Sequence, residues 1–305
     1  MNTAINPQHV VLFHHFRRFL VEAGKAGLDV APLKGAHLVT SVYPADVDRG
    51  VMADVDFLVR PEHYAKACAI LEEMGFYRSP EETAQQPVHE ASYYLDVGNG
   101  HHVMFEPHRY FFEPQRFPLD HEAVWRRSAA SDFDGAPCRR LSPEDHYVQI
   151  VFHETVHCLI SLERTVRDLE LLVRHGDVDR DLIIYRAREW RLTRAVWLLT
   201  KRVDASAPEL GLSRIVRELA PPRSVQAALD FAVPIICKEA RFSYFRHRLK
   251  AAVLWPLIFD SPLQVARLAM THPYVRFCLT PAPLRQAERG SCGGGAAARK
   301  PRQRK

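Results

Sequence analysis

At Ser142-Pro143-Glu144-Asp145 the chain changes its period, and that change limits its fold more than any other feature. A serine able to cap, a first-turn proline and two acids stand where the N–H groups of a helix start lack partners. Helical spacing then runs to about Ile160 and returns in Arg164 to His175, Arg180 to Trp190, Thr193 to Val203, 213 to 219, 223 to 238 and 240 to 254. The second half is therefore expected to be all-helical, an irregular bundle without internal repeat.

Before Ser142, helix and strand periods alternate. Residues 8 to 24 place Val11, Phe16, Leu20 and Ala23 on one helical face, and Gly24 and Gly27 lead into the apolar run Val30 to Leu33. Val55 to Val59 reads as a strand. Pro61 then opens a helix with Tyr64, Ala67, Leu71 and Met74 inward, closed at Gly75. Ser92 to Val97 and His102 to His108 flank Gly98-Asn99-Gly100, residues that accept positive φ at low cost, so the pair reads as a hairpin. Residues 113 to 142 hold Pro114, Pro118, Gly135 and Pro137 among polar residues and read as a crossing segment. The expected class is α+β: a small mixed β-sheet with flanking helices over residues 1–135, a helical domain over 136–284, and a disordered basic tail over 285–305.

Charge and cysteine usage exclude several functions. The formal charge of +5 is concentrated in the tail, where seven basic residues (Arg285, Arg289, Arg299, Lys300, Arg302, Arg304 and Lys305) face only Glu288. The body is close to neutral, so nucleic-acid contact is expected, if anywhere, from the tail. Six cysteines are scattered without a Cys-x-x-Cys spacing, and no charged-then-apolar leader opens the chain, which makes a reduced cytoplasm the expected compartment. The longest apolar stretch, Ala251 to Phe259, is broken by Pro256 and falls well short of the roughly 18 residues a membrane span needs.

The chemistry begins at Asp54-Val55-Asp56-Phe57-Leu58-Val59. In a strand of period two, Asp54 and Asp56 share one face while Val55 and Phe57 pack on the other. Adjacent carboxylates repel, and a divalent cation offsets that cost. Upstream, Leu33-Lys34-Gly35 leads from a strand into a short helix, Ala36 to Val42, where Gly35 admits close backbone approach of a phosphate and Lys34 supplies charge. Downstream, the second hairpin strand sets His102, Met104, Glu106 and His108 on one face, with Glu106 as a third carboxylate.

These pieces, in this order and spacing, carry a resemblance. Leu33-Lys34-Gly35-Ala36, Tyr43-Pro44, Arg49, Met52, the run Asp54 to Glu62, Leu71 to Phe76, and Glu106-Pro107-His108 resemble the uncharacterised nucleotidyltransferase family of the polymerase-β-like superfamily. The likeness continues through His153, His157 and Asp168 and covers roughly residues 10 to 220. It implies that residues 1–135 form a nucleotidyltransferase-like catalytic domain and that two Mg²⁺ ions, with Mn²⁺ as a substitute, act there. It also implies transfer of a nucleoside monophosphate from an NTP donor to an acceptor hydroxyl on a small molecule, a protein or RNA. Asp54, Asp56 and Glu106 would be the catalytic and metal-holding acids. Lys34, Gly35 and Arg49 would bind the nucleotide, with His108, His153, His157 and Asp168 lining the cleft. A catalytically idle nucleotide-binding or toxin-like regulatory module of the same fold is the alternative.

A second motif competes. His153-Glu154-Thr155-Val156-His157 matches the zinc-hydrolase pattern in which histidines at i and i+4 share a helix face and a glutamate polarises water. The glycine and third histidine of the extended pattern are missing, since Cys158-Leu159-Ile160-Ser161-Leu162 follows. The expected reading is a helix whose histidines line the cleft. Asp168 is expected to orient His157 or to pair with a nearby arginine. Cys158 is expected to be a buried, inert thiol, and Trp190 and Trp197 core residues.

Overall fold

A computed structural model describes residues 7–44, 47–78, 91–112, 117, 119–237 and 244–271. The expected basic tail, Pro114 and Pro118 lie outside the described residues. The chain runs α1 (Pro7–Lys25), β1 (Val30–Pro32), α2 (Lys34–Ser41), β2 (Asp54–Val59), a 3₁₀ turn at Pro61–His63, α3 (Tyr64–Glu73), β3 (Tyr77–Arg78), β4 (Tyr93–Gly98) and β5 (His101–His108). It continues through α4 (His121–Arg127), β6 (Ala129–Phe133), β7 (Ala136–Arg140), α5 (Pro143–Val156), α6 (Leu162–His175), α7 (Arg180–Glu189), α8 (Thr193–Ser206) and α9 (Ser213–Glu218). α10 (Arg223–Cys237), α11 (Tyr244–Ile258) and α12 (Pro262–Thr271) complete it. The fold is α+β, and no helix of the described residues is long and apolar enough to cross a membrane.

The sheet order is β1-β2-β5-β4-β3, with β2 and β5 parallel and the other neighbours antiparallel. The β2–β5 register sets Asp56 opposite Glu106 and Leu58 opposite His108. Period-two alternation then divides the sheet between two cores. Val55, Phe57, Val59 and Phe105 join Phe16, Phe19 and Leu20 of α1 and Leu71 of α3 on one face. On the other face Leu58 and Ala31 join the helical half, including Tyr147, Val148, Leu169 and Trp197. The strand acids therefore project from the face that the helices after Ser142 cover.

Four expectations need correction. Residues 113 to 142 are more than a crossing segment: they carry α4, capped by the Asp120 side chain, and the β6–β7 hairpin. Its turn, Asp134-Gly135, has φ of 49° and 76°, the left-handed pair that a two-residue hairpin demands. The helix expected to reach Ile160 ends at Val156, because Cys158 and Leu159 both turn left-handed, at φ 56° and 59°. On α1 the inward stripe is Leu12, Phe16, Phe19, Leu20 and Ala23, while Val11 is 40% exposed, one position off the buried face. Finally, α12 follows α11 where no helix was expected. Ser142 caps α5 through a hydrogen bond from the Asp145 N–H, as its sequence suggested.

Candidate active site

Asp56 is the hub. It is 5% exposed, and its Oδ1 accepts a hydrogen bond from Lys34 Nζ at 2.6 Å and lies 2.9 Å from His108 Nε2. Burial alone would raise this carboxyl. The Lys34 charge and the His108 hydrogen bond outweigh it and hold Asp56 well below the usual carboxylate range. Asp54, one strand period away and half-buried, goes the other way: burial and then the Asp56 charge push it up to about 6. Two like acids on one face have thus been split into a firmly ionised member and a readily protonated one.

β5 delivers the next donors. Glu106 lies directly across from Asp56 and accepts from Ser92 Oγ of the neighbouring strand at 3.1 Å. Ligand atoms of Asp56, Glu106 and His108 all fall within 4.8 Å of one another. Two carboxylates and an imidazole suit a hard or borderline divalent ion such as Mg²⁺ or Mn²⁺, and the Lys34 ammonium already shows that the Asp56 oxygen attracts a cation. His108, expected only to line the cleft, is the third member of this trio. Asp54 stands beside it rather than within it.

The Lys34 turn is held from both sides of the molecule. Leu33 N–H donates to the Asp56 carbonyl at 2.9 Å, tying the end of β1 to β2. Lys34 itself adopts φ 43°, a left-handed conformation that a non-glycine residue keeps only when its surroundings enforce it. Its N–H donates to His146 Nε2 of α5 at 3.0 Å. The His146 ring packs on His37 of α2, centroids 4.3 Å apart, and burial keeps His146 well below its ordinary value and His37 at about 4, so both stay neutral.

Arg49 and Gly35 form one unit. Arg49 Nε and Nη2 donate to Asp168 of α6 at 3.0 and 2.6 Å, and the Tyr43 hydroxyl donates to the same carboxylate at 2.6 Å. Nη1, outside that fork, lies over Gly35, where a Cβ would come within 2.8 Å of it and 2.7 Å of Met52 Sδ. Gly35 thus leaves room for a guanidinium to cross the turn. Of the two roles expected of Asp168, pairing with an arginine is the one observed.

The histidine motif of α5 comes apart. The rings of His153 and His157 are 4.4 Å apart, but Glu154 is buried and turned into the following loop, where it accepts from Ser161 N–H at 2.7 Å and Thr165 Oγ1 at 3.0 Å. Burial, then the fields of Lys34 and His157, hold His153 far below its ordinary value, against the pull of Asp56. Neither histidine belongs to the donor trio found among the described residues. Cys158 is buried, its thiol pushed up to about 12, and Trp190 and Trp197 are core residues as expected.

Sequence reasoning missed His37, His146, Tyr43 as a partner of Asp168, and Ser92. The Ser92 position carried no clear signal either, since the turn alone would set it across from Pro107 and an irregularity between Asp96 and Gly98 shifts the register by one to bring it to Glu106.

A sequence model described as an uncharacterised nucleotidyltransferase matches residues 3–206. No curated protein matches the chain. A similar solved structure is that of an antigenic nucleotidyltransferase-like protein from Paracoccidioides brasiliensis, 14% identical, with 68% of this chain and 92% of that chain covered and a TM-score of 0.42.

Proposed function

Because the chain belongs to the uncharacterised nucleotidyltransferase family, we propose that it moves a nucleoside monophosphate from an NTP to an acceptor hydroxyl, with Asp54, Asp56 and Glu106 as its acids. The observation that supports this most is the convergence of Asp56, Glu106 and His108 on one point of the sheet face. The acceptor oxygen bonds to the α-phosphorus, the α–β bridging P–O bond breaks, and pyrophosphate leaves with the electron pair. Glu106 accepts or orients the hydroxyl proton. A divalent ion held by Asp56, Glu106 and His108, with Asp54 beside them as a further carboxylate, would neutralise charge on the phosphate oxygens.

The chain's own cations do the rest of the binding. Lys34 sits against Asp56 at the N-terminus of α2 and is placed to pair with β- or γ-phosphate oxygens when nucleotide arrives. Arg49 keeps Nη1 over the same turn while Asp168 holds the other two nitrogens. His153 and His157 line the side facing the helices. The zinc-hydrolase reading loses its general base, since Glu154 is committed to Ser161 and Thr165.

The test is incubation with each α-labelled NTP, Mg²⁺ and cell extract, followed by separation into protein, RNA and small-molecule fractions. Label should enter one fraction with wild type and none with Asp56→Asn, whose circular dichroism should be unchanged. Equal labelling by the variant, or none by wild type with any NTP, would overturn the proposal.

A further inference from the structure

On the other face of the sheet, α3 and the strand ends enclose a cavity of about 380 Å³ whose polar lining is Tyr64, Cys68, Glu72, Arg78, Tyr93 and Arg109. The strand register separates it from the acids. Tyr93 pairs with Phe105 and belongs to the core of α1 and α3, and Arg78 pairs with Tyr93, whereas Ser92 and Glu106 bond to each other on the acid face. Arg109 is the first residue beyond β5, directly after His108. Exposed alanines at 65 and 69 leave the helix side of the cavity open.

Two buried donors meet here, one with no acceptor and one with only a thiol beside it, among the described residues. The Arg109 guanidinium stacks on the Tyr64 ring, 4.5 Å from its centroid, and its Nε is buried with no acceptor among the described residues. The Tyr64 hydroxyl, buried beside Cys68, likewise reaches no oxygen or nitrogen acceptor there. Buried N–H and O–H groups are nearly always satisfied, and two in one cavity that find no oxygen or nitrogen acceptor among the described residues suit an acceptor brought by a ligand. The acid present, Glu72, is engaged by the Tyr93 hydroxyl at 3.3 Å.

We infer that this cavity binds a small oxyanion, a carboxylate or a phosphate monoester, through Arg109 and Tyr64. The site is independent of the nucleotidyl-transfer reading.

Cys68 serves as the reporter because it is a partly buried free cysteine of the cavity wall. In the full-length protein at matched ionic strength, alkylation of Cys68 by iodoacetamide is followed by peptide mass spectrometry, with inorganic phosphate in one arm and malonate in another. At a probe concentration ten times its dissociation constant the rate should fall about tenfold. Protection by phosphate alone identifies a phosphate site, and protection by malonate alone a carboxylate site. Asp56→Asn should keep the protection, since the acids lie on the other face. Ala69→Glu, at an exposed helix position, should abolish it by supplying Arg109 with a carboxylate. Thermal melting gives a second readout: the probe should raise Tm in wild type and leave Ala69→Glu unmoved. Absence of both protection and a Tm rise with either probe, or protection that persists in Ala69→Glu and Arg109→Gln, overturns the inference.

Discussion

Replacing Gly35 by alanine tests the site with a single methyl group. In an ordinary helix start this change would be neutral or stabilising, since alanine exceeds glycine in helix propensity by about 1 kcal/mol. Gly35 has no left-handed φ to forbid the substitution. The new Cβ would nevertheless lie 2.7 Å from Met52 Sδ, 2.8 Å from Arg49 Nη1 and 3.3 Å from Arg49 Cζ. Neither neighbour is free to retreat. Met52 is 4% exposed, and the Arg49 guanidinium is fixed to a carboxylate that is itself 3% exposed. With two contacts under 3.0 Å the overpacking cost falls in the upper part of the usual range, about 2–3 kcal/mol, which exceeds the propensity gain and predicts a net loss of about 1–2 kcal/mol in urea denaturation. A double-mutant cycle assigns the cause: Met52→Ala removes one of the two collisions, so Gly35→Ala should cost less in that background, with a coupling of about 1 kcal/mol. Gly35→Ala as stable as wild type, or a cycle with no coupling, would refute the close packing of Arg49 over this turn.

Other outcomes follow from the same geometry. Asp168→Asn leaves the buried Arg49 without its counter-charge and should destabilise by about 3 kcal/mol, whereas Tyr43→Phe removes one hydrogen bond and should cost about 1 kcal/mol, both read by urea denaturation. His37, 4% exposed and packed on His146, is held at about 4 by burial, with Arg140 adding to the effect. The unfolded chain therefore takes up this proton first as pH falls, so stability is full above about 6.5 and declines between 6.5 and 4, by about 2 kcal/mol at pH 5. His37→Asn should remove that share of the decline, and an unchanged slope in the variant would contradict it. Glu154→Ala leaves the Ser161 N–H and the Thr165 hydroxyl unpaired and should lower stability by about 2 kcal/mol without altering metal content. Stoichiometric zinc in wild type that is lost in this variant would restore the hydrolase reading.

What the sequence made legible was local or periodic. Alternation in Asp54 to Val59 and His102 to His108 placed the acids on one face, and the glycines around Asn99 announced the hairpin that carries Glu106. Ser142-Pro143 marked the start of the helical half for the same reason, because capping is a short-range interaction. The Asp134-Gly135 turn was equally short-range and went unread among the prolines around it. Nothing local predicted that Glu154 would turn from its neighbouring histidines to Ser161, a choice made by two left-handed residues after the helix. The partners that arrive from more than 100 residues away, His146 at Lys34 and Asp168 at Arg49 and Tyr43, depend on how the helices cover the sheet, which no window of sequence encodes.

Direct titration of Mn²⁺ into the protein, followed by electron paramagnetic resonance, bears on the acids themselves without requiring a known acceptor. Wild type should bind the ion more tightly when an NTP is present, and both Asp56→Asn and Glu106→Gln should weaken that binding by at least about tenfold. Unchanged Mn²⁺ affinity in both variants would mean that the carboxylates meeting across β2 and β5 do not grip a metal, and the account would fail.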